Sequence, residues 1–399
     1  MNQKELIVVV AIFAIGCGAS RDETVFTKED WALLRGMAFS PRLTAPMDLG
    51  NQFARTDAGA IEVFGQKLFF DTGLSGNRSD GSETAVSCAD CHAPNDWFSD
   101  GRSSNQFSAG VGVTGRNSPS LVNVGFYSWF AWDGRADLLW VQGKHAYESG
   151  ATMNGKPLHL AQQVARRYDR EYAMIFGAEL PRALSDSDAG IPDEQLQPIY
   201  KNLLKAWGAY LLQLNSGDSP FDAFVNGDES ALTPQQLRGL HLFIGKAGCI
   251  NCHSGQHFTD NRFHALGLEQ PGVDQGRFTG LARLAELDAG WRLSIEVPPR
   301  TAETNGQFRT KSLRHVSQTA PYFHAGQMAT LADVVWFYNQ GGLSGVTTKS
   351  PFIVPLGLTD SEQSDLVAFL GSLTGAPVPA KWTCNNAETD GGVGPRCVR

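Results

Sequence analysis

The sequence has neither an excess of positive charge nor a long apolar run. Its 33 Lys and Arg residues are outnumbered by 41 Asp and Glu residues, which gives a net charge of −8, whereas surfaces that bind nucleic acid are basic. No stretch of 18 apolar residues occurs, so no transmembrane helix is expected. Only 19% of the 399 residues are charged, which excludes a disordered chain or a coiled coil. The sequence therefore predicts a globular protein of more than one domain.

The N-terminus has the pattern of an export signal. Leu6–Ile15 form an apolar block that has the length of a signal-peptide core and is too short to span a membrane. The block ends in Ala14-Ile15-Gly16-Cys17, which resembles a lipobox with Cys17 as the lipidated residue; cleavage without lipidation is the alternative. Residues 1–17 are thus predicted to be a signal peptide. We expect a periplasmic protein; if Cys17 is lipidated, that lipid is its only attachment to the membrane.

Four of the seven cysteines lie in two copies of one motif. Cys88-Ala-Asp-Cys91-His92 and Cys249-Ile-Asn-Cys252-His253 both read C-x-x-C-H, the attachment motif of c-type haem. On a helical turn, residues three apart share a face, so two thiols can reach the two vinyl groups of one haem. The His that follows then offers its imidazole to the iron. A zinc site would use the Cys pairs but would not require both His residues, so the motifs predict two covalently bound haems.

Apolar residues at helical spacing precede each haem motif. They are Ile61, Phe64 and Leu68 before the first motif, and Leu237, Leu240 and Ile244 before the second. Capping boxes predict that helices begin at Thr233 and Thr359. Strand-like alternation is scarce. The prediction is an all-α fold of two cytochrome-c-like haem domains with long ordered loops.

The boundary between the two domains is predicted in the segment SPFDAFVNGDES, after residue 225. Residues 18–225 then carry the first haem and residues 226–399 carry the second. Cys384 and Cys397 flank a polar loop in the tail of the second domain. In an oxidising compartment these two cysteines can form a disulfide.

Between about Asp57 and Gly375, the chain resembles the bacterial di-haem cytochrome c peroxidase and MauG superfamily. The matching segments have the family's order and spacing: LFFDTGLSGN with SCADCH, GRNSPSLVN, FAWDGRADLLWVQ, LFIGKAGCINCH, FRTKSLRHVSQTAPYFHAG and ATLADVVWFYNQGG. The resemblance implies an enzyme that reacts with hydrogen peroxide at its N-terminal haem. It also implies that the C-terminal haem is low-spin.

The resemblance assigns the second axial ligand of the C-terminal haem to Tyr338. In the family this ligand lies fourteen residues after the His of the PYFHAG segment, and that count from His324 reaches Tyr338. Peroxidase members carry Met here and MauG-like members carry Tyr. Met raises the haem potential, whereas an anionic phenolate stabilises ferric and higher oxidation states. By periodicity alone, Tyr338 belongs to an apolar core stripe, and Met328, four residues past His324, is the competing ligand.

The same resemblance implies that the haem of His92 is open on its distal side. Peroxidase members supply a distal His in the loop after the first motif. This chain has neither His nor Met between His92 and His145, so both strong haem ligands are missing there. We expect an open or water-bound iron that accepts peroxide without prior reduction.

The distal pocket departs from the family pattern at Thr152. Counting from Trp132, the resemblance places the distal Gln at Gln142, and ten residues later the family has Glu where this chain has Thr152. A hydroxyl has too high a pKa for acid–base work. Glu148 is the predicted substitute, and His145 is a further candidate because His carries protons near neutral pH. The predicted catalytic residues are thus Gln142, Glu148 and Trp132.

Two other sites are implied by the resemblance. Trp132 corresponds to the family's inter-haem Trp, which relays electrons between the haems; a buried structural Trp is the alternative. A Ca²⁺ ion between the domains is expected to take the side-chain oxygen of Asn117 and the backbone carbonyls of Thr319 and Pro321. Water can complete the shell of this hard cation.

Three functions remain open at this point. The first is a MauG-like enzyme, in which peroxide produces a high-valent di-haem state that oxidises aromatic residues of a partner protein. The second is a cytochrome c peroxidase that takes electrons from a small periplasmic cytochrome or cupredoxin, which Tyr338 disfavours. The third is an electron carrier without catalysis, which the missing distal ligand disfavours. The sequence favours the first function.

Overall fold

The computed structural model describes residues 26–40, 60–101, 108–186, 190–268, 274–288, 290–292, 296–343 and 349–384. Within these ranges the secondary structure is mostly helical. Two short antiparallel strands are present, β1 (Phe263–His264) and β2 (Phe308–Arg309), with Phe263 paired to Arg309. The predicted all-α class is confirmed.

The described part of the chain contains eleven α-helices joined by loops and short 3₁₀ turns. The helices are α1 (Lys28–Arg35), α2 (Ala60–Phe70), α3 (Leu139–Glu148), α4 (Pro157–Arg167), α5 (Asp169–Phe176), α6 (Asp193–Leu211), α7 (Pro220–Val225), α8 (Pro234–Ile244), α9 (Arg277–Ala285), α10 (Leu331–Asn339) and α11 (Asp360–Gly371).

Two helices begin at the capping boxes that the sequence predicts. At the start of α8, the amide of Gln236 donates to the Thr233 hydroxyl at 3.3 Å, and the Gln236 side chain accepts from the Thr233 amide at 2.9 Å. Thr359 and Glu362 make the same pair of bonds at the start of α11. These bonds satisfy amides that the first helical turn leaves without partners.

Each half of the molecule is built around a crossing of two helices at a glycine. Gly65 of α2 lies against the backbone of Ala206 in α6, and Gly239 of α8 lies against the backbone of Asp365 in α11. At either glycine a Cβ atom would clash with the facing carbonyl oxygen. The repeated crossing is the structural counterpart of the repeated haem motif.

Two hydrophobic clusters form the core. The first contains the α2 residues Ile61, Phe64 and Leu68, and the second contains Leu240 of α8 together with Leu366, Phe369 and Leu370 of α11 and Leu373 just after it. These side chains are buried as their helical spacing predicts.

Each cluster also takes a segment from the opposite end of the chain. Leu34 and Met37, in and after α1, pack in the second cluster, while Val378 and Trp382 pack in the first. Phe221 of α7, which the predicted boundary places in the first domain, also packs in the second cluster. The packing thus differs from a simple division after residue 225, and that boundary stays a prediction.

The export and tail predictions concern mostly residues outside the described ranges. Residues 1–17, with Cys17, and Cys397 lie outside them, so the signal peptide and its lipidation stay predictions. Cys384 is disulfide-bonded. No helix in the described ranges is long and apolar enough to cross a membrane.

Candidate haem-binding active site

Both haem motifs fold as a short 3₁₀ turn. The turns are Cys88–Asp90 and Cys249–Asn251, and in each motif the His amide donates to the carbonyl of the first Cys at 2.9 Å. The helical turn that the motif spacing predicts is therefore present twice. Burial raises the pKa of the Cys88 and Cys249 thiols to about 12.

Backbone carbonyls orient the two predicted iron ligands in the same way. Nδ1 of His92 lies 3.0 Å from the Phe98 carbonyl oxygen, and Nδ1 of His253 lies 2.9 Å from that of Phe258. Both Phe residues have a left-handed backbone, with φ of 56° and 50°. With Nδ1 donating to a carbonyl, Nε2 is the nitrogen that can bind a metal. Burial lowers the pKa of both imidazoles and keeps them in the neutral, metal-binding form.

His253 and Tyr338 line one cavity of about 260 Å³. The whole predicted stripe of α10 faces this cavity: Leu331, Val334, Val335 and Tyr338. Cys249 and Cys252 line it too, so the attachment thiols, the imidazole and the phenol meet in one largely apolar space. Met328, the competing ligand, is not among the residues that line it. An apolar macrocycle with axial positions for His and Tyr fits these walls.

The phenol of Tyr338 is protonated in this setting. Burial, with the nearby thiols of Cys249 and Cys252, raises its pKa. A bound cation has the opposite effect on the pKa, because it favours the deprotonated form of a group that coordinates it. A ferric haem in the cavity would therefore convert Tyr338 into the phenolate that the ligand assignment requires.

Two basic residues that sequence reasoning missed also line this cavity. Arg309 lies with its guanidinium 3.9 Å from the ring centroid of Tyr127, and Lys311 lies next to Trp132. Neither forms an ion pair with a described residue, and burial lowers the pKa of both. Buried cations need an anionic partner. The two propionates of a haem in this cavity would be suitable partners for Arg309 and Lys311. The available signal was the basic residues within FRTKSLRHVSQTAPYFHAG, a segment that matches the family.

Trp132 lies where the two halves meet. Its indole N–H donates to the carbonyl of Asn117 at 2.8 Å, and its own carbonyl accepts from the Arg309 amide at 2.8 Å. The indole lines the cavity of His253, and Nζ of Lys311 lies 4.4 Å from its ring centroid. This position is compatible with the predicted relay between the haems.

A buried ion cluster fixes the loop after Trp132. The Asp133 carboxylate, with no exposed side-chain surface, pairs with Arg116 at 2.9 Å and with Arg135 at 2.6 Å. Arg116 also binds Asp274 with two hydrogen bonds of 2.8 and 2.7 Å. Burial alone would raise the pKa of Asp133, but the charges of Arg135 and Arg116 lower it. The cluster joins the first half of the chain to the second.

Gln142 and His145 lie one turn apart on α3 and each present an unpartnered polar atom. Oε1 of Gln142 and Nε2 of His145 are buried without a hydrogen bond to any described residue. Burial, followed by the charge of Arg135, lowers the pKa of His145 to about 4. Its imidazole is therefore neutral at pH 7 and can accept a proton.

Glu148 and Thr152 are engaged in other contacts. The Glu148 carboxylate accepts from Lys144 at 2.5 Å and from the Tyr200 hydroxyl at 3.0 Å. The Thr152 hydroxyl donates to the carbonyls of Ala146 and Ser149. Both carboxylate oxygens of Glu148 thus have partners, which supports a structural role, and its acid–base role stays a prediction.

The three predicted calcium ligands lie on the wall of the same cavity. Asn117, Thr319 and Pro321 all line it. The Asn117 side chain donates its amide to the carbonyl of Asp100 at 3.2 Å, which leaves its oxygen for another partner. Amide and carbonyl oxygens suit Ca²⁺, and the ion itself remains a proposal.

Two attachment sites with oriented imidazoles define a di-haem c-type cytochrome, and comparisons with known proteins give its family. The family model for di-haem cytochrome c peroxidase matches residues 60–230. Cytochrome-c peroxidase IdrP1 of Pseudomonas sp. (strain SCT) is 33% identical, over 78% of this chain and 80% of that protein. The methylamine utilization protein MauG of Methylorubrum extorquens is 32% identical, over 79% and 78%. The chain belongs to the di-haem cytochrome c peroxidase family.

A solved structure supports the fold. The crystal structure of a MauG-like protein associated with microbial copper homeostasis has a TM-score of 0.67 and 24% identity, and the match covers 88% of this chain and 99% of that one. Family membership makes this protein a peroxide-dependent di-haem oxidoreductase. Family membership therefore excludes the third candidate function, an electron carrier without catalysis.

Proposed function

We propose that this enzyme is a MauG-like oxidase of a partner protein. It takes two oxidising equivalents from hydrogen peroxide, holds them, and uses them to remove electrons from aromatic side chains of a docked protein. The observation that supports this best is Tyr338, which shares a cavity with His253. A phenolate there favours the oxidised states of the haem, whereas Met would favour electron storage.

The haems supply the redox chemistry when they are bound, and the chain supplies ligation, proton transfer and the relay. Peroxide takes up two electrons and two protons and leaves as two waters. Gln142 orients the peroxide, and the neutral imidazole of His145 accepts its first proton and returns it to the departing oxygen. Glu148 is the alternative proton carrier, although Lys144 and Tyr200 occupy its carboxylate.

One electron is drawn from the half that carries His92, where peroxide reacts, and the other is drawn from the half that carries His253 through Trp132. The indole lines the cavity of His253 and belongs to the loop that the buried ion cluster fixes. Because the two oxidising equivalents are stored at two separate sites, neither site is an oxidant strong enough to attack the protein's own side chains. This gives a partner protein time to dock.

A stoichiometric titration tests this proposal. The fully oxidised protein is mixed with one equivalent of peroxide, and the stored equivalents are counted by back-titration with a one-electron reductant. We expect two equivalents per chain without prior reduction. In Tyr338→Met, the potential of the second haem should rise, because axial ligands span a range of about 0.8 V, and storage should be lost.

The second candidate is a cytochrome c peroxidase, the activity for which IdrP1 is named. That activity requires fast peroxide consumption with a reduced small cytochrome or cupredoxin as donor. Reaction only after prereduction of the enzyme, with fast turnover of such a donor, would establish it and reject the partner oxidase.

The c-type haem motifs and the disulfide of Cys384 indicate the compartment in which the protein acts. We propose that the protein acts in the periplasm, where c-type haems and a Cys384 disulfide are compatible with the oxidising environment. Lipid on Cys17 would hold it at the membrane surface. A Cys17→Ser variant that moves from the membrane to the soluble fraction would establish the anchor, and equal distribution would leave simple secretion.

A further inference from the structure

We propose that Tyr200 is a redox-active tyrosine, which supplies an electron to the half that carries His92 when the relay through Trp132 does not. The phenol gives its electron to the site that peroxide has oxidised and its proton to the Glu148 carboxylate. This inference rests on the peroxide reaction of the proposed function and adds a second exit for the oxidising equivalents.

The hydroxyl of Tyr200 has a base beside it. The hydroxyl donates to Oε1 of Glu148 over 3.0 Å, a distance at which a proton can transfer directly. Tyr200 is 1% exposed, and burial, followed by the charge of Glu148, raises its pKa. The phenol is therefore protonated at rest, and on oxidation its proton passes to the carboxylate.

Tyr200 belongs to an aromatic chain between α3 and α6. Its ring centroid lies 6.2 Å from that of Tyr147 and 6.0 Å from that of Trp291, and Tyr147 lies 5.6 Å from Trp207. These are contact distances between aromatic rings. Tyr147 and Trp207 are buried, whereas Trp291 is half-buried. The chain thus leads from the interior to the surface.

The inner end of the chain lies next to the predicted peroxide pocket. Tyr147 is on α3, the helix that carries Gln142 and His145. With about 3.6 residues per turn, Gln142 and His145 share one face of α3, and Tyr147 and Gly143 share the opposite face. Gly143 lies against Trp207 of α6. A single helix therefore separates the predicted peroxide pocket from the aromatic chain.

Oxidation of Tyr200 moves one electron and one proton. Until the relay through Trp132 separates the two oxidising equivalents, both are held in the half that carries His92. Tyr200 supplies one electron through Tyr147, its O–H bond breaks, and Oε1 of Glu148 binds the proton. A soluble one-electron reductant such as ascorbate then returns an electron through Trp291, and Glu148 returns the proton.

The surroundings of Trp291 favour Tyr200 as the residue on which the radical rests. Nζ of Lys144 and Nζ of Lys201 lie 5.4 and 4.8 Å from the ring centroid of Trp291, so two neighbouring ammonium groups oppose a positive charge on the indole. Tyr200 loses a proton together with its electron and stays neutral. We therefore expect a tyrosyl radical rather than a tryptophan cation radical.

The test measures this radical by electron paramagnetic resonance. Oxidised wild type, Trp132→Phe, and Trp132→Phe combined with Tyr200→Phe are each mixed with one equivalent of peroxide and freeze-quenched. The radical yield is expressed per peroxide consumed, and ring-deuterated tyrosine identifies the signal as tyrosyl. Blocking the relay in Trp132→Phe should increase the yield, and the added loss of the Tyr200 hydroxyl should remove the signal. Haem content and the visible spectrum without peroxide report whether each variant is intact.

Two further variants in the Trp132→Phe background are matched to these. Glu148→Gln keeps an acceptor for the hydrogen bond but no base for the proton, so the yield should fall by about tenfold or more. Tyr168 also donates to a carboxylate, that of Asp71 at 2.9 Å, but its ring contacts Phe64 instead of the aromatic chain. Tyr168→Phe should therefore keep the full yield.

The proposal is overturned if Trp132→Phe gives no tyrosyl signal, or if the signal survives the loss of the Tyr200 hydroxyl. An unchanged yield in Glu148→Gln overturns the role of Glu148 as the proton acceptor.

Failure of the proposed function gives a different result. If the relay is wrong, wild type and Trp132→Phe give equal yields, and Tyr200→Phe still removes the signal. If the protein is a cytochrome c peroxidase, the oxidised forms consume no peroxide, and one electron per chain is added to each variant before peroxide. A tyrosyl signal that depends on Tyr200 then still supports the proposal, and the absence of such a signal rejects it.

Discussion

Replacement of Asp133 by Asn should destabilise the protein strongly. The Asp133 side chain is fully buried and pairs with Arg116 at 2.9 Å and with Arg135 at 2.6 Å. The amide of Asn keeps the shape but removes the charge, so two guanidinium groups lose their shared anion. Arg116 retains Asp274, whereas Arg135 forms an ion pair with Asp133 alone among the described residues.

The magnitude follows from the burial of the cluster. Removing one partner of a buried ion pair costs about 3–5 kcal/mol, because the remaining charge stays in a poorly solvated place. The surface pair of Lys246 and Glu362, with side chains 44% and 27% exposed, is the matched control. Glu362→Gln should cost less than about 1 kcal/mol.

The assay is urea unfolding of the haem-loaded protein, followed by tryptophan fluorescence, which rises when unfolding separates indoles from haem.

The pKa of Asp133 is lowered in the folded state from an unfolded value of about 3.9. Its contribution is therefore present above that value and lost as the pH falls through the folded pKa. The difference between wild type and Asp133→Asn should stay constant from pH 8 to 5. A loss below about 1 kcal/mol at pH 7 would refute the reasoning.

The resting oxidised protein should show one high-spin and one low-spin haem by electron paramagnetic resonance, and Tyr338→Phe should lose the low-spin signal because the phenolate is gone; an unchanged signal contradicts the ligand assignment. His145→Gln should slow the stopped-flow reaction with peroxide by about 10²–10⁴-fold, while Glu148→Gln stays near wild type; the reverse pattern would make Glu148 the proton carrier. The wild-type rate should be flat above pH 5 and fall as His145 takes up a proton at about pH 4. Asn117→Ala should lower the calcium content measured by elemental analysis, and equal calcium in both proteins would remove Asn117 from the site.

Local spacing predicts the haem motifs and the helices around them. A C-x-x-C-H segment carries its own geometry, because the turn, the two thiols and the His lie within five residues. Helix starts at Thr233 and Thr359 were likewise predictable, since a capping box is a contact between residues three apart. Tyr338 needed the resemblance, because its periodicity fits a core residue equally well.

Contacts between distant residues were not predictable in this way. Lys144 is one turn from Glu148, but Tyr200 is 52 positions away, so nothing near Glu148 indicated that its carboxylate is occupied. The approach of Lys311 to Trp132 likewise joins two segments far apart in the chain. Helical spacing shows which face is buried but not which segment covers it.

The exchange of end segments between the two clusters affects how the molecule matures. The cluster around the first haem motif includes Val378 and Trp382, which follow the second haem motif in the chain and are synthesised after it. Until they are made, the core of the first half lacks part of its packing. A fragment cut before Val378 would lack these contacts, so the first half needs a segment of the second half to complete its core.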